Sequence, residues 1–164
     1  MRWLPWLPFL AACCHIFEEF VWPGGFADWY RKYRANAARI TTRVLVIVNV
    51  ALLAACVNYA LLANTALGAA ALLGLSALLC SNGLWHAWAS VMTHTVSPGV
   101  VTGMMLYIPL MIVEGNGYLR GGRTPLWAAA IAIALGGSYQ LWSALYHRAG
   151  LKASVNRYED LSLD

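Results

Sequence analysis

The chain has 164 residues, 60% of them hydrophobic and only 11% charged, with a mean hydropathy of +0.59. About a quarter of a soluble domain is charged, so this composition excludes an ordinary soluble globular domain, and its hydrophobicity excludes a disordered chain. The 11 Lys+Arg against 7 Asp+Glu fall in short clusters between apolar stretches, a pattern of membrane topology and not of a nucleic-acid partner.

In lipid, about 20 apolar residues make one spanning helix, and the pattern predicts an all-α, polytopic transmembrane helix bundle of about five spans. One domain covers residues 1–147 and a polar tail covers 148–164. The first span is expected over 5–22, with Pro5 and Pro8 confined to its first turns, where a missing amide hydrogen does little harm. Leu10-Ala11-Ala12-Cys13 also resembles a lipoprotein processing site, but we take the segment as a retained span. Residues 27–39 turn amphipathic and basic, with Trp29, Tyr30 and Tyr33 beside Arg31, Lys32 and Arg34, which predicts an interfacial segment. Further spans are expected over 41–62, over 66–92 with an interruption at Ser81-Asn82-Gly83, over 98–115, and over 125–146. Cys13, Cys14, Cys56 and Cys80 lie in apolar runs without zinc-type spacing and read as buried thiols.

Cytoplasmic loops carry an excess of Lys and Arg. An outside amino terminus puts Arg31, Lys32, Arg34, Arg39, Arg43, Arg148, Lys152 and Arg157 inside and leaves Arg2, Arg120 and Arg123 outside. The expected localisation is therefore a membrane, the bacterial inner membrane, with the carboxy terminus in the cytoplasm.

Charged side chains inside lipid cost several kcal/mol and usually face a cavity, a partner or a metal. His15, Glu18 and Glu19 interrupt the first span, and helical spacing puts both carboxylates near the imidazole. Asn82 and His86 share a face of the third span, and Asn49 is a buried amide in the second. Glu18 lies about 6 Å from the Trp22 end, Asn49 about 9 Å from Arg43 and His86 about 9 Å from Met92. In an up-and-down bundle those ends share one side, so the polar residues form one layer. Tyr107, Tyr139 and Gln140 reach it less directly, and Glu114 falls at the opposite end of the fourth span. Pro23-Gly24-Gly25-Phe26 ends the first span, and Ser97-Pro98-Gly99 starts the fourth at the same face, where free amide hydrogens suit an anion or a headgroup.

The His15-Ile16-Phe17-Glu18-Glu19 run, the following Pro-Gly-Gly-Phe, the Asn82/His86 pair and Pro98-Gly99 together resemble the HXXEE family of bacterial integral membrane proteins. The resemblance covers about residues 5–109. It implies a membrane protein whose polar motifs suggest an enzyme, and it supplies no substrate.

Chemically, His15, Glu19 and His86 are a candidate three-ligand site for a divalent metal such as zinc, with an open position for water, Glu18 serving as base. Without metal, Glu18 and Glu19 would form an acid and base pair suited to an isomerase. Glu18, Glu19, His15, Asn82 and His86 are thus the expected catalytic set, and an apolar substrate entering from the surrounding lipid is the expected partner. A proton, metal-ion or small-molecule carrier using the same residues is the rival reading. Gly68 to Gly74 and Gly136-Gly137 offer small-residue faces through which such bundles form homo-oligomers. Reporter fusions at residue 36 and at the carboxy tail should both report a cytoplasmic location; an external signal from either overturns the orientation or the span count.

Overall fold

The computed structural model describes residues 3–33 and 41–143. Among the described residues the chain is all-helical, with six helices and no strand. A 3-10 turn, Leu4–Trp6, leads into α1, Leu7–Phe20. Then come α2, Phe26–Tyr33, α3, Thr42–Leu61, and α4, Ala66–Thr93. The fifth helix, α5, runs Val100–Leu119 and α6 runs Leu126–Gly137. A turn at Ser138 interrupts α6, after which residues 139–143 are helical again.

Three of these helices, α3, α4 and α5, are long and apolar enough to cross a membrane. The first and last are shorter than the spans expected from the sequence. Pro5 and Pro8 hold the entry to α1 in a 3-10 turn, and the Gly24 backbone, at a φ of 73°, turns the chain back so that its N–H donates to the Glu18 carbonyl at 3.0 Å. Ser81-Asn82-Gly83 interrupts the apolar run of α4 but not its helix, and the Ser81 hydroxyl donates to the Leu78 carbonyl at 2.8 Å. Thr41 and Thr65 cap α3 and α4 by accepting from the amides of Val44 and Gly68.

The central pole is α4, which packs against α1, α3, α5 and α6. Thirteen of its 28 residues are buried, whereas α3 buries only Cys56 and Ala60. Small residues make this possible. Gly74 meets Ala132 and Gly136 of α6. Gly83 meets Gly103 of α5, where a Cβ on Gly83 would lie 2.6 Å from the Gly103 carbonyl oxygen. Of the four cysteines, all free, only Cys56 is fully buried and Cys14 is exposed on the outside of the bundle.

Helix α2 does not lie apart from the bundle. Its Phe26 and Tyr30 face packs with Phe20, Leu45 and Trp85, and Trp29 donates its indole N–H to the Thr95 hydroxyl at 2.9 Å. Asp28, exposed on the other face, pairs with Arg31 at 2.6 Å. The remainder of the predicted interfacial segment, residues 34–39, lies outside the described residues, as do residues 144–146 of the last expected span and the tail 148–164.

Within α5, residues Gly103–Tyr107 form a π-helical turn, a wide turn often found at functional sites. Pro109 lacks the amide hydrogen that the Met105 carbonyl would accept in a regular α-helix. The wide turn has a geometric consequence. Residues five apart diverge by about 140° on a regular helix, but across this turn Thr102 and Tyr107 both face His15.

Gly83→Ala should therefore destabilise the bundle by about 1–3 kcal/mol, the cost of forcing a methyl into a close-packed contact. Thermal unfolding in detergent micelles should show a lowered Tm. Gly115→Ala, where an added Cβ meets nothing within 4 Å, should leave Tm unchanged or raised.

Candidate metal centre

The first turn of α5 presents amide hydrogens with no carbonyl one turn back to receive them. Glu18 fills that end. Its Oε1 accepts from the amides of Gly99 at 3.0 Å and Val101 at 3.1 Å, and its Oε2 from the amide of Thr102 at 2.7 Å and the Thr102 hydroxyl at 2.5 Å. Four donors and no acceptor face this carboxylate, the surroundings of an ionised group at a helix N-terminus. The anion for which the Pro98-Gly99 start is suited is thus supplied by the chain itself. Glu18 is engaged as a cap and its oxygens turn away from the role of a free base.

Thr102 has one hydroxyl proton, and the short bond to Glu18 uses it. The hydroxyl oxygen must then accept from His15 Nδ1–H, which lies 2.9 Å away. This fixes the tautomer: His15 Nε2 carries a lone pair and points inward. Asn82 donates its amide Nδ2–H toward that Nε2 at 3.2 Å, and Gln140 Nε2–H donates to Asn82 Oδ1 at 2.8 Å. His86 is held in the same manner, with Nδ1 2.9 Å from the Ser97 hydroxyl, which itself donates to the Pro98 carbonyl at 3.4 Å. Its Nε2 is buried and faces the Glu19 carboxylate.

Glu19 lies between the two imidazoles. Its Oε1 is 3.5 Å from His15 Nε2 and 3.2 Å from His86 Nε2. The ligand atoms of His15, Glu19 and His86 all fall within 4.8 Å of one another, and each residue is 5% exposed or less. Three electron-rich atoms therefore converge with their second nitrogens or neighbours tied back by hydroxyls, the arrangement that orients histidines for a metal. Zinc bonds of about 2.0–2.1 Å in tetrahedral geometry separate ligand atoms by about 3.3 Å, and the two distances to Glu19 bracket that value.

Gly99 sits against this cluster with a φ of 97°. A Cβ there would lie 2.7 Å from His15 Cε1, 3.0 Å from His86 Cε1 and 3.1 Å from Glu19 Cγ. Only glycine supplies both the backbone conformation and the empty space. Aromatic rings close the rest: Tyr107 lies 4.7 Å from the His15 ring, and Phe26 lies 5.4 Å from the His86 ring, centroid to centroid. The Tyr107 hydroxyl is buried without a partner among the described residues.

His15, Glu18, Glu19, Asn82 and His86 are thus brought together, with Glu18 on the far side of Thr102 from the other four. Gln140 joins them through Asn82. Tyr139 and Asn49 line an adjoining cavity. Glu114 stands apart, buried near the other end of α5, where it accepts from the Ser76 hydroxyl at 2.5 Å. His94 is exposed in the left-handed cap of α4, and His147 lies outside the described residues. Thr102, Ser97 and Gly99 were missed as members of the cluster, although the Ser97-Pro98-Gly99 helix start was the available signal for them.

The fold and site together define a class: a helical protein, with three helices able to cross a membrane, holding a buried His/Glu cluster at one end of the bundle. The chain belongs to the HXXEE family, described as proteins of unknown function with an HXXEE motif, whose model matches residues 6–113. No curated protein and no solved structure matches it.

Glu18→Gln should destabilise the protein by about 3 kcal/mol, because an amide offers one acceptor oxygen and turns an NH2 group toward amide donors. Glu19→Gln, measured with a chelator present, should cost less, since Glu19 faces two imidazoles and, among the described residues, no backbone amide. Thermal unfolding of the two variants in the same micelles checks the order.

Proposed function

We propose that the protein is a membrane-embedded enzyme that holds a divalent metal at His15, Glu19 and His86 and uses it to hydrolyse a lipid-like substrate. The observation that carries this reading is the convergence, in a buried cluster, of a Glu19 carboxylate oxygen and the Nε2 atoms of His15 and His86 within 4.8 Å of one another. Leaving such atoms in lipid-like surroundings costs free energy that a cation would offset.

A bound divalent cation supplies a water activated as nucleophile. The chain's own groups do the rest. Thr102 and Ser97 hold the imidazole tautomers, Asn82, oriented by Gln140, supplies a neutral hydrogen-bonding group beside the open position, and the unpartnered Tyr107 hydroxyl is available to donate to a developing oxyanion. The metal-free acid and base alternative has less support, because Glu18 has both oxygens engaged and leaves Glu19 as the single free carboxylate of the cluster. In this reading α1 and α6 join α3, α4 and α5 in a five-span bundle, with the site toward the cytoplasmic face.

Protein purified in mild detergent should contain about one equivalent of zinc or a similar divalent ion by elemental analysis. His86→Ala and Glu19→Gln should lose it. Gly99→Ala should lose it too while keeping its helical circular dichroism, because the added methyl displaces both imidazoles. Metal-free wild type after growth in metal-supplemented medium overturns the proposal.

A further inference from the structure

A cavity of about 540 Å³ adjoins the cluster, within the size range of small-molecule sites. Its shape follows from three helices. Helices α3 and α6 flank α4 and make little contact with each other, so a slot runs between them with α4 as its floor. On α3 the lining begins at Leu45 and ends at Tyr59, and on α4 it begins at Trp85 and ends at Ala71. Each stretch spans 14 residue-to-residue steps, about 21 Å. The slot is therefore long and narrow.

Its two ends differ in chemistry. Toward the cluster the walls carry the amides of Asn49, Asn82 and Gln140. Toward the other end they carry apolar or small groups, Ala55, Leu75 and Ala132 among them. Among the described residues lining the cavity there is no Lys or Arg, and Glu19 is the sole carboxylate. In the metal-free protein a headgroup bearing phosphate would meet the Glu19 carboxylate with no Lys or Arg among the described lining residues to compensate it, a cost of the kind that excludes wrong ligands.

We propose that this cavity takes a single-chain lipid with an uncharged polar head, an ester, amide or alcohol, entering between α3 and α6. The head lies among the three amides beside His15 and Glu19, and the chain extends along α4 toward Ala71. The slot has room for one chain, and an uncharged head can be hydrogen-bonded by amides that both donate and accept. This rests on the proposed enzyme reading for its reaction, but occupancy of the slot does not depend on a metal.

The test is photolabelling of the full chain in nanodiscs with hexadecanol carrying a diazirine on its terminal carbon, followed by peptide mass spectrometry. The label is expected on the segments around Tyr59 and Ala71. With chelator present, unlabelled hexadecanol and N-methyl palmitamide should compete at least about tenfold more strongly than hexadecyl phosphate, a difference of about 1.4 kcal/mol. Ala71→Phe should abolish labelling by the long probe while a decanol probe still labels nearer Leu52; Ala55→Phe provides a second block on the facing helix should the first fail to fold. Metal content is read on the same samples, with and without chelator. Labelling without metal keeps the cavity assignment and removes the metal reading, and metal without labelling does the reverse. Equal competition by hexadecyl phosphate, label spread over the outer surface, or a co-purified phospholipid filling the slot overturns the assignment.

Discussion

A carboxylate taken out of water must find hydrogen-bond donors or a counter-ion, and Glu18 finds all of its donors in one place. The unpaired amides at the start of α5 and the hydroxyl of Thr102 complete its coordination. Both partners gain: the helix end loses its unsatisfied amides, and the acid loses its desolvation penalty. This contact joins segments 81 to 84 positions apart in the chain and fixes α5 against α1. The rest of the site is built on that junction.

From it a proton chain sets the chemistry. Because the Thr102 hydroxyl donates its hydrogen bond to Glu18, it must accept one from His15 Nδ1–H, and His15 then turns its other nitrogen to the interior. Ser97 acts comparably on His86. The same loop brings Gly99 between the two imidazoles and Glu19, where its missing side chain lets them approach. Two adjacent acids thus part company. Glu18 secures the scaffold, and Glu19, one residue on and about 100° around the helix, faces the two histidines.

Shape comes from small residues and from one irregularity. Gly74 against Gly136 and Gly83 against Gly103 draw α6 and α5 onto α4, while α3, held more loosely, leaves the slot open beside the cluster. The π-helical turn at Gly103–Tyr107 turns Thr102 and Tyr107 toward the same imidazole, which a regular helix would not do. Aromatic residues of α2 then cover the polar end. The result is a buried cluster beside a largely apolar cavity.

The sequence by itself determined the helical class and, among the five spans expected, the three long apolar helices, since hydropathy, capping residues and helical spacing are local properties. It also determined that His15 and Glu19 share a face, because residues four apart on a helix must. Only tertiary structure decided which acid caps and which faces the cavity, because neighbours on a helix diverge and their partners lie in distant segments. It likewise decided the parts played by Thr102, Ser97 and Gly99, whose importance comes from meeting His15 and His86 in space. The continuity of α4 through Ser81-Asn82-Gly83 and the wide turn in α5 depended on packing as well. A local pattern fixes which residues cannot rest in lipid; the donors that receive them are set by the fold as a whole.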